Sequence, residues 1–244
     1  MFKRLVTLDF ARHAGLRVQS VRHHIHAREL QMAIVMQAEI RRASAIYPIV
    51  FVEDRETDGF RPVALFGLAP GHNTFVNEAG EWSASYIPAV IRAYPFALAR
   101  GDRADRFVVC VDEASSWLDE QDGALLFHPD GRAADSLEEV KAFLARLRQM
   151  QAATEIFTRG LAERNLLTPL SVRGSDGDTP LALDGCFVVN EERLDGLPLE
   201  RFSELRERGW LPAIYAHLAS LLQFERLESA GLRPRPREAD SGGQ

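Results

Sequence analysis

An α+β fold, with antiparallel β-hairpins packed against helices, is the architecture this sequence predicts. Two observations carry it. A short helical pattern halted by Tyr-Pro and followed by two apolar runs around a charged turn occurs twice, at residues 37–68 and 85–112. Between residues 136 and 163 apolar residues then recur at three- and four-residue steps, the signature of one long amphipathic helix. With 244 residues and 46% hydrophobic content, the chain has enough apolar surface for one large domain or two small lobes.

The first 36 residues are the least patterned. RLVTLDF reads as a strand, ARHAGLRVQ as a loop, and VRHHIHARELQMAIVM as an extended segment with His24 and His26 on one face. A helix over 37–46 ends at Tyr47-Pro48, because the residue before a proline is pushed out of the α region. Strands IVFV and PVALFGL follow, joined by the charged turn EDRETDGF. The order repeats as the helix SYIPAVIRA, the stop Tyr94-Pro95, and strands FALA and RFVVCVD around RGDRAD. The two Tyr-Pro pairs lie 47 positions apart, so a duplication and convergence on one useful helix stop both fit.

Residues 113–135 read as a turn-rich linker with one apolar piece at Ala124–Phe127, and a division into two lobes would fall there. Ser136 with Glu139 three residues on predicts a capping box for the long helix. After it, TPLSVRG, SDGD, TPLALDG and CFVVNEERL predict further antiparallel strands, a third helix-then-hairpin unit. LPLERFSELRERG predicts a short helix stopped by Gly209. Residues 210–227 predict a last helix with Ile214, Leu218, Leu221 and Leu222 inward, Pro212 in its first turn and Gly231 as its C-cap. The domain expectation is thus an ill-defined segment 1–36, an α+β unit 37–231 and a disordered polar tail 232–244.

Composition excludes several classes. The net charge is −6, with Lys+Arg at 29 against Asp+Glu at 35, which disfavours nucleic acid. No window approaches the roughly 18 apolar residues of a membrane span. Cys110 and Cys186 sit in apolar runs and predict buried thiols rather than a disulfide framework. With no apolar leader segment at the start, the chain reads as soluble and cytoplasmic. RFVVCVDE resembles the acidic end of a nucleotide-hydrolase strand, but no phosphate-cradling glycine loop accompanies it. His24-Ile-His26 has a metal-ligand spacing without an identifiable third ligand, so no metal is expected, and no cofactor.

The stretch from Gly67 to Ala99 concentrates Phe75, Trp82, Tyr86, Tyr94 and Phe96 in a chain only 9% aromatic. Two readings fit it. In one the aromatics are core and the glycines and prolines set turns. In the other, Trp82, Tyr86 and Tyr94 form an aromatic platform, Arg92 a clamp for a carboxylate or other anion, and Asn73 a turn cap or ligand-orienting group. The acid/base candidates for an enzyme are His72, Asp112, Glu113 and His217. His217 borders the apolar face of the last helix, where a lone histidine is more often a hydrogen-bonded core residue than a catalyst.

The runs YPIVF, ALFGL, NTFVNEAGEW, YIPAVIRAYPF, VCVDE, LFHPDG, LDGCFVVNEERL and GWLPAIYAHLASLLQFERL, in this order across residues 37–228, closely resemble the SapC family. The resemblance implies a soluble bacterial protein without an established catalytic activity, linked to surface-layer or TonB-dependent outer-membrane uptake systems. It supplies no catalytic residues. The expectation is an accessory or binding protein that holds a peptide, a carbohydrate or a partner protein near Asn73, Trp82, Tyr86, Arg92 and Tyr94. The alternative is an enzyme in a peptide or carbohydrate modification pathway.

Overall fold

All strand pairs among the described residues are antiparallel and helices cover the sheets, so the α+β architecture is the one the chain adopts. The computed structural model describes residues 1–20, 23–55, 57–101, 107–170 and 185–231. Residues 1–36 contain β1 (Leu5–Thr7), α1 (Phe10–His13), β2 (Arg17–Val18), a single 3-10 turn at Ile25–Ala27, and β3 (Met32–Ile34). Asp9 caps α1 by accepting the Arg12 N–H. His24 and His26 therefore lie on a 3-10 turn, not on an extended segment.

α2 (Gln37–Ala43) precedes the hairpin of β4 (Ile49–Asp54) and β5 (Gly59–Leu65). α3 (Ala89–Arg92) precedes the hairpin of β6 (Phe96–Arg100) and β7 (Phe107–Asp112). α3 is shorter than the sequence pattern suggested, since it starts only after Pro88, whose fixed φ suits the residue just outside a helix. The segment read as a linker supplies β8 (Leu118–Asp119) and β9 (Ala124–Leu125), both of which pair with β2. Next come α4 (Asp135–Glu163), β10 (Leu167–Pro169) and β11 (Cys186–Val189). The three sheets are ordered β1-β7-β6, β10-β11-β4-β5-β3 and β8-β2-β9. The two helix–hairpin units thus belong to different sheets. Most of the strands expected between residues 168 and 185, and the 232–244 tail, lie outside the described residues.

α4 has 29 residues, about 43 Å at 1.5 Å per residue, and it joins two cores. Its first half buries Leu137 and Leu144, with Val140, Phe143 and Leu147 beside them, against Phe96 and Val111 of the β6–β7 hairpin. Its second half buries Phe157 and Leu161 against the larger core, which includes Phe51 and Leu65 of the five-stranded sheet. The capping box does not form. Ala134 is the N-cap and has no side-chain cap bond; Ser136 lies inside the helix and donates to the Leu125 carbonyl at 2.5 Å, an acceptor brought there by the docking of β9.

Beyond β11, Asn190 caps α5 (Glu191–Asp195), which the sequence pattern had suggested as strand. α6 (Leu199–Glu207) stops at Gly209, whose φ of 69° is left-handed. The predicted last helix is two helices, α7 (Leu211–Ser220) and α8 (Gln223–Gly231). Leu221, Leu222 and Phe224 each donate to the carbonyl three residues back, a tightened turn that shifts the apolar register. Ile214 is buried as expected, but Leu222 is 73% exposed and Phe224 and Leu227 take its place inside. Gly231 falls within α8 and is not its cap.

Candidate functional site

The stretch 67–99 is divided between core and surface. Asn73 is 2% exposed; its amide donates to the Ala27 carbonyl and its oxygen accepts the Phe75 N–H, so its side chain fixes this loop against the 3-10 turn. Tyr86 is buried and its hydroxyl donates to Glu39. Glu39, itself buried, also accepts the N–H groups of Met36 at 2.9 Å and Ala89 at 2.8 Å, binding the starts of α2 and α3 to one carboxylate. Burial first, and then the Glu39 hydrogen bond, raises the Tyr86 pKa. Trp82 is half-buried; its indole N–H donates to the Tyr47 hydroxyl at 3.0 Å and its ring meets Phe66 edge-on. Tyr47 in turn donates to the Tyr86 carbonyl. Trp82 and Tyr86 thus both report to the Tyr47 anchor.

Tyr94 turns the other way. Its ring stacks on His26, with centroids 3.9 Å apart and planes 10° from parallel, and Trp117 stands edge-on to both at 5.1 and 5.0 Å. His24 bridges from this group to Trp82, with ring centroids 5.7 Å apart. Burial, and then the neighbouring His24, drives the His26 pKa down to about 4. The Ile91 backbone lends some support, short of a well-formed hydrogen bond to either ring nitrogen. Such unpartnered buried nitrogens are uncommon.

The Tyr94 hydroxyl reaches Ser115 and Asp112. Asp112 is fully buried and accepts the backbone N–H groups of Lys3 at 2.9 Å, Arg4 at 2.7 Å and Ala114 at 3.2 Å. Burial alone would raise its pKa, but these bonds together with Tyr94 outweigh it and hold the carboxyl below the usual range. With the phenol kept protonated, His26 neutral and Asp112 ionised, this network holds charges in place.

Tyr94 and Trp117 open onto a cleft of about 410 Å³ against the first half of α4. Arg92, Phe143, Ser136 and Glu139 line it too. Arg92 is exposed; its Nε donates to the Ile87 carbonyl at 3.0 Å, and its guanidinium sits 5.4 Å from the centre of the Phe143 ring. Of the five ligand-binding candidates, the cleft gathers Arg92 and Tyr94, while Asn73, Trp82 and Tyr86 face internal partners. The arrangement offers an aromatic wall, one guanidinium and, from α4, one carboxylate.

The acid/base candidates occupy separate surroundings. Glu113 is held by Arg4, Arg12 and His13. Burial would raise its pKa, but the His13 and Arg12 bonds outweigh it and lower it. Together with Asp112 it ties the N-terminal segment to the end of β7. His72 lies in the loop after β5, with its carbonyl against Gly67. His217 is fully buried; its Nδ1 bonds to the Ile49 carbonyl at 2.8 Å and its Nε2 accepts the Val189 N–H at 3.0 Å. It stitches β4 to β11 just past their last paired residues. Among the described residues no three His, Cys, Asp or Glu side chains are grouped to hold a metal ion. Cys110 and Cys186 are both buried, and no helix among these residues is long and apolar enough to cross a membrane.

Sequence reasoning missed Trp117 and His23, whose ring meets Trp117 edge-on with centroids 6.2 Å apart. Trp117 is 3% exposed and stands in the segment read as a linker, where one aromatic among turn residues carries no periodic signal. No curated protein and no solved structure matches the chain. The model of the SapC family does match it, over residues 8–227. That span reaches well upstream of the motifs at 37–228 and takes in α1, β2, the 3-10 turn and β3. On this match across nearly its whole length, the chain belongs to the SapC family.

Proposed function

We propose that the protein is a cytoplasmic SapC-type accessory protein that binds an extended peptide segment of a partner belonging to a surface-layer or TonB-dependent uptake system. The observation that carries the reading is that Arg92, Tyr94, Trp117 and Glu139 line one cleft. A guanidinium fork recognises a carboxylate side chain or chain terminus, and the glutamate in the same lining suits a basic or amide group. The Tyr94, Trp117 and Phe143 rings suit apolar side chains between them. The cleft's volume is within the usual range for small-ligand sites and accommodates a few residues of peptide. Two buried thiols fit a reducing compartment.

Selection from a random peptide library, followed by calorimetry, tests the reading. Enriched peptides should pair an acidic residue with an aromatic or aliphatic neighbour. Arg92→Glu should weaken them at least tenfold while the protein remains folded by circular dichroism, and Glu139→Lys, at an exposed position, should change which peptides are selected. Absence of any enriched peptide, or equal binding to Arg92→Glu, overturns it.

A further inference from the structure

A larger concavity, about 640 Å³, opens where α4 passes from the smaller core to the larger one. It shares only Ala93, Phe96 and Leu144 with the peptide cleft. Phe96, Leu98 and Arg100 are alternate residues of β6 and so share one face of the sheet. Across the ladder Phe107 stands opposite Arg100. From α4 come Leu144, Leu147 and Arg148. The Arg148 guanidinium lies 3.7 Å from the centre of the Phe107 ring.

Of the other charges in this wall, Arg61 pairs with Asp54 at 2.6 Å, while Glu155 accepts from the neutral Gln151 amide at 3.1 Å and keeps its negative charge. Arg100 and Arg148 differ, since neither forms a hydrogen bond or ion pair among the described residues. A guanidinium resting on a ring face keeps its in-plane N–H fork free for an anion. Arg148 rests on this ring, Arg100 is its cross-strand neighbour, and the floor beneath them is largely aliphatic. With that ring covered by Arg148, the open aliphatic surface includes Leu98 and Leu147, which suit a chain better than a stacked base.

We infer that this cleft binds an amphiphilic anion, a carboxylate or phosphate carried on an acyl-type chain. Arg100 and Arg148 grip the head, and Leu98 and Leu147 receive the chain. The site spans the seam between the two cores, a common location for ligand sites. It is separate from the proposed peptide contacts, so either reading can fail alone.

Calorimetry below the micelle concentration, with decanoate, decyl phosphate and neutral decyl maltoside, tests the assignment. At least one anion should bind saturably with one-to-one stoichiometry, and the better of the two identifies the head group. The Arg100→Ala/Arg148→Ala double variant should lose at least tenfold in affinity. Arg148→Lys, which keeps the charge without the fork, should lose less than the double variant. Both arginines are exposed, so an unchanged melting temperature certifies the fold. Binding no tighter than that of decyl maltoside, or equal affinity in wild type and double variant, overturns the inference.

Discussion

Lowering the pH should weaken the fold through His217, and the size of the effect follows from its surroundings. The imidazole gives its Nδ1 proton to Ile49 and receives the Val189 N–H on Nε2, with no exposed surface. A second proton would turn the acceptor into a donor facing a donor, inside the core. Burial accordingly depresses the pKa from 6.5 to about 4, with the Ile49 bond opposing. Above pH 6.5 the group is neutral folded and unfolded, and its full contribution is present. Between 6.5 and about 4 only the unfolded chain takes up the proton, so stability falls as pH falls. By pH 4.5 the loss from this residue is about 2.5 kcal/mol, a large share of the roughly 5–15 kcal/mol typical of a folded protein.

His217→Gln isolates the effect. The amide can still give and take one hydrogen bond, but it does not titrate. Urea unfolding of both proteins from pH 7.5 to 4.5 should find the variant weaker at neutral pH by about 1–3 kcal/mol. The gap should close or reverse by pH 4.5. His24 and His26 also have lowered pKa values, but they titrate equally in both proteins and cancel in the difference. Parallel stability curves across this range would refute the account of His217.

Two further substitutions probe the packing. Gly160→Ala should destabilise by about 1–2 kcal/mol in a denaturant titration, although alanine is the better helix former, because the new methyl would overlap the buried Trp210 ring; a stabilised variant would show that the indole moves aside freely. Glu39→Ala removes the acceptor for Met36, Ala89 and Tyr86 together and should lower the melting temperature by about 10 °C, roughly 3–5 kcal/mol. A shift under a couple of degrees would mean that water or another group takes over.

α4 was legible because Val140, Phe143, Leu144, Leu147, Phe157 and Leu161 encode its buried stripe locally. The hairpins were legible because Pro48 and Pro95 stop helices and charged turns separate the strands. Strands β2, β8 and β9 were not. Each has two residues, and each owes its existence to a partner far along the chain, as Val18 does to Leu118 and Ala124. The break between α7 and α8 was equally hidden. The Ser220 hydroxyl donates to the His217 carbonyl and accepts the Ile49 N–H from β4, a tertiary bond that helical periodicity does not record. Within the candidate site, local aromatic density pointed to Arg92 and Tyr94. It also pointed to Trp82 and Tyr86, which density alone cannot distinguish from cleft residues, and it left Trp117 unseen.

The two Tyr-Pro stops explain why the cleft lies beside one hairpin and not the other. Each ends a short helix and launches an antiparallel hairpin, so the local design is shared. Tyr47 is wholly buried in the larger core, where its hydroxyl gives to the Tyr86 backbone and takes from Trp82. Tyr94 serves a three-stranded sheet with a smaller core, and its hydroxyl is engaged by Asp112 and Ser115 at the end of that hairpin. That tether aims the ring at His26 and Trp117. Tyr94 is also buried, but Phe2, His26 and Trp117 cover its ring, and what remains accessible borders the cleft beside α4. One stop therefore makes a core anchor and the other a cleft wall, and the difference comes from which partners pack on each ring.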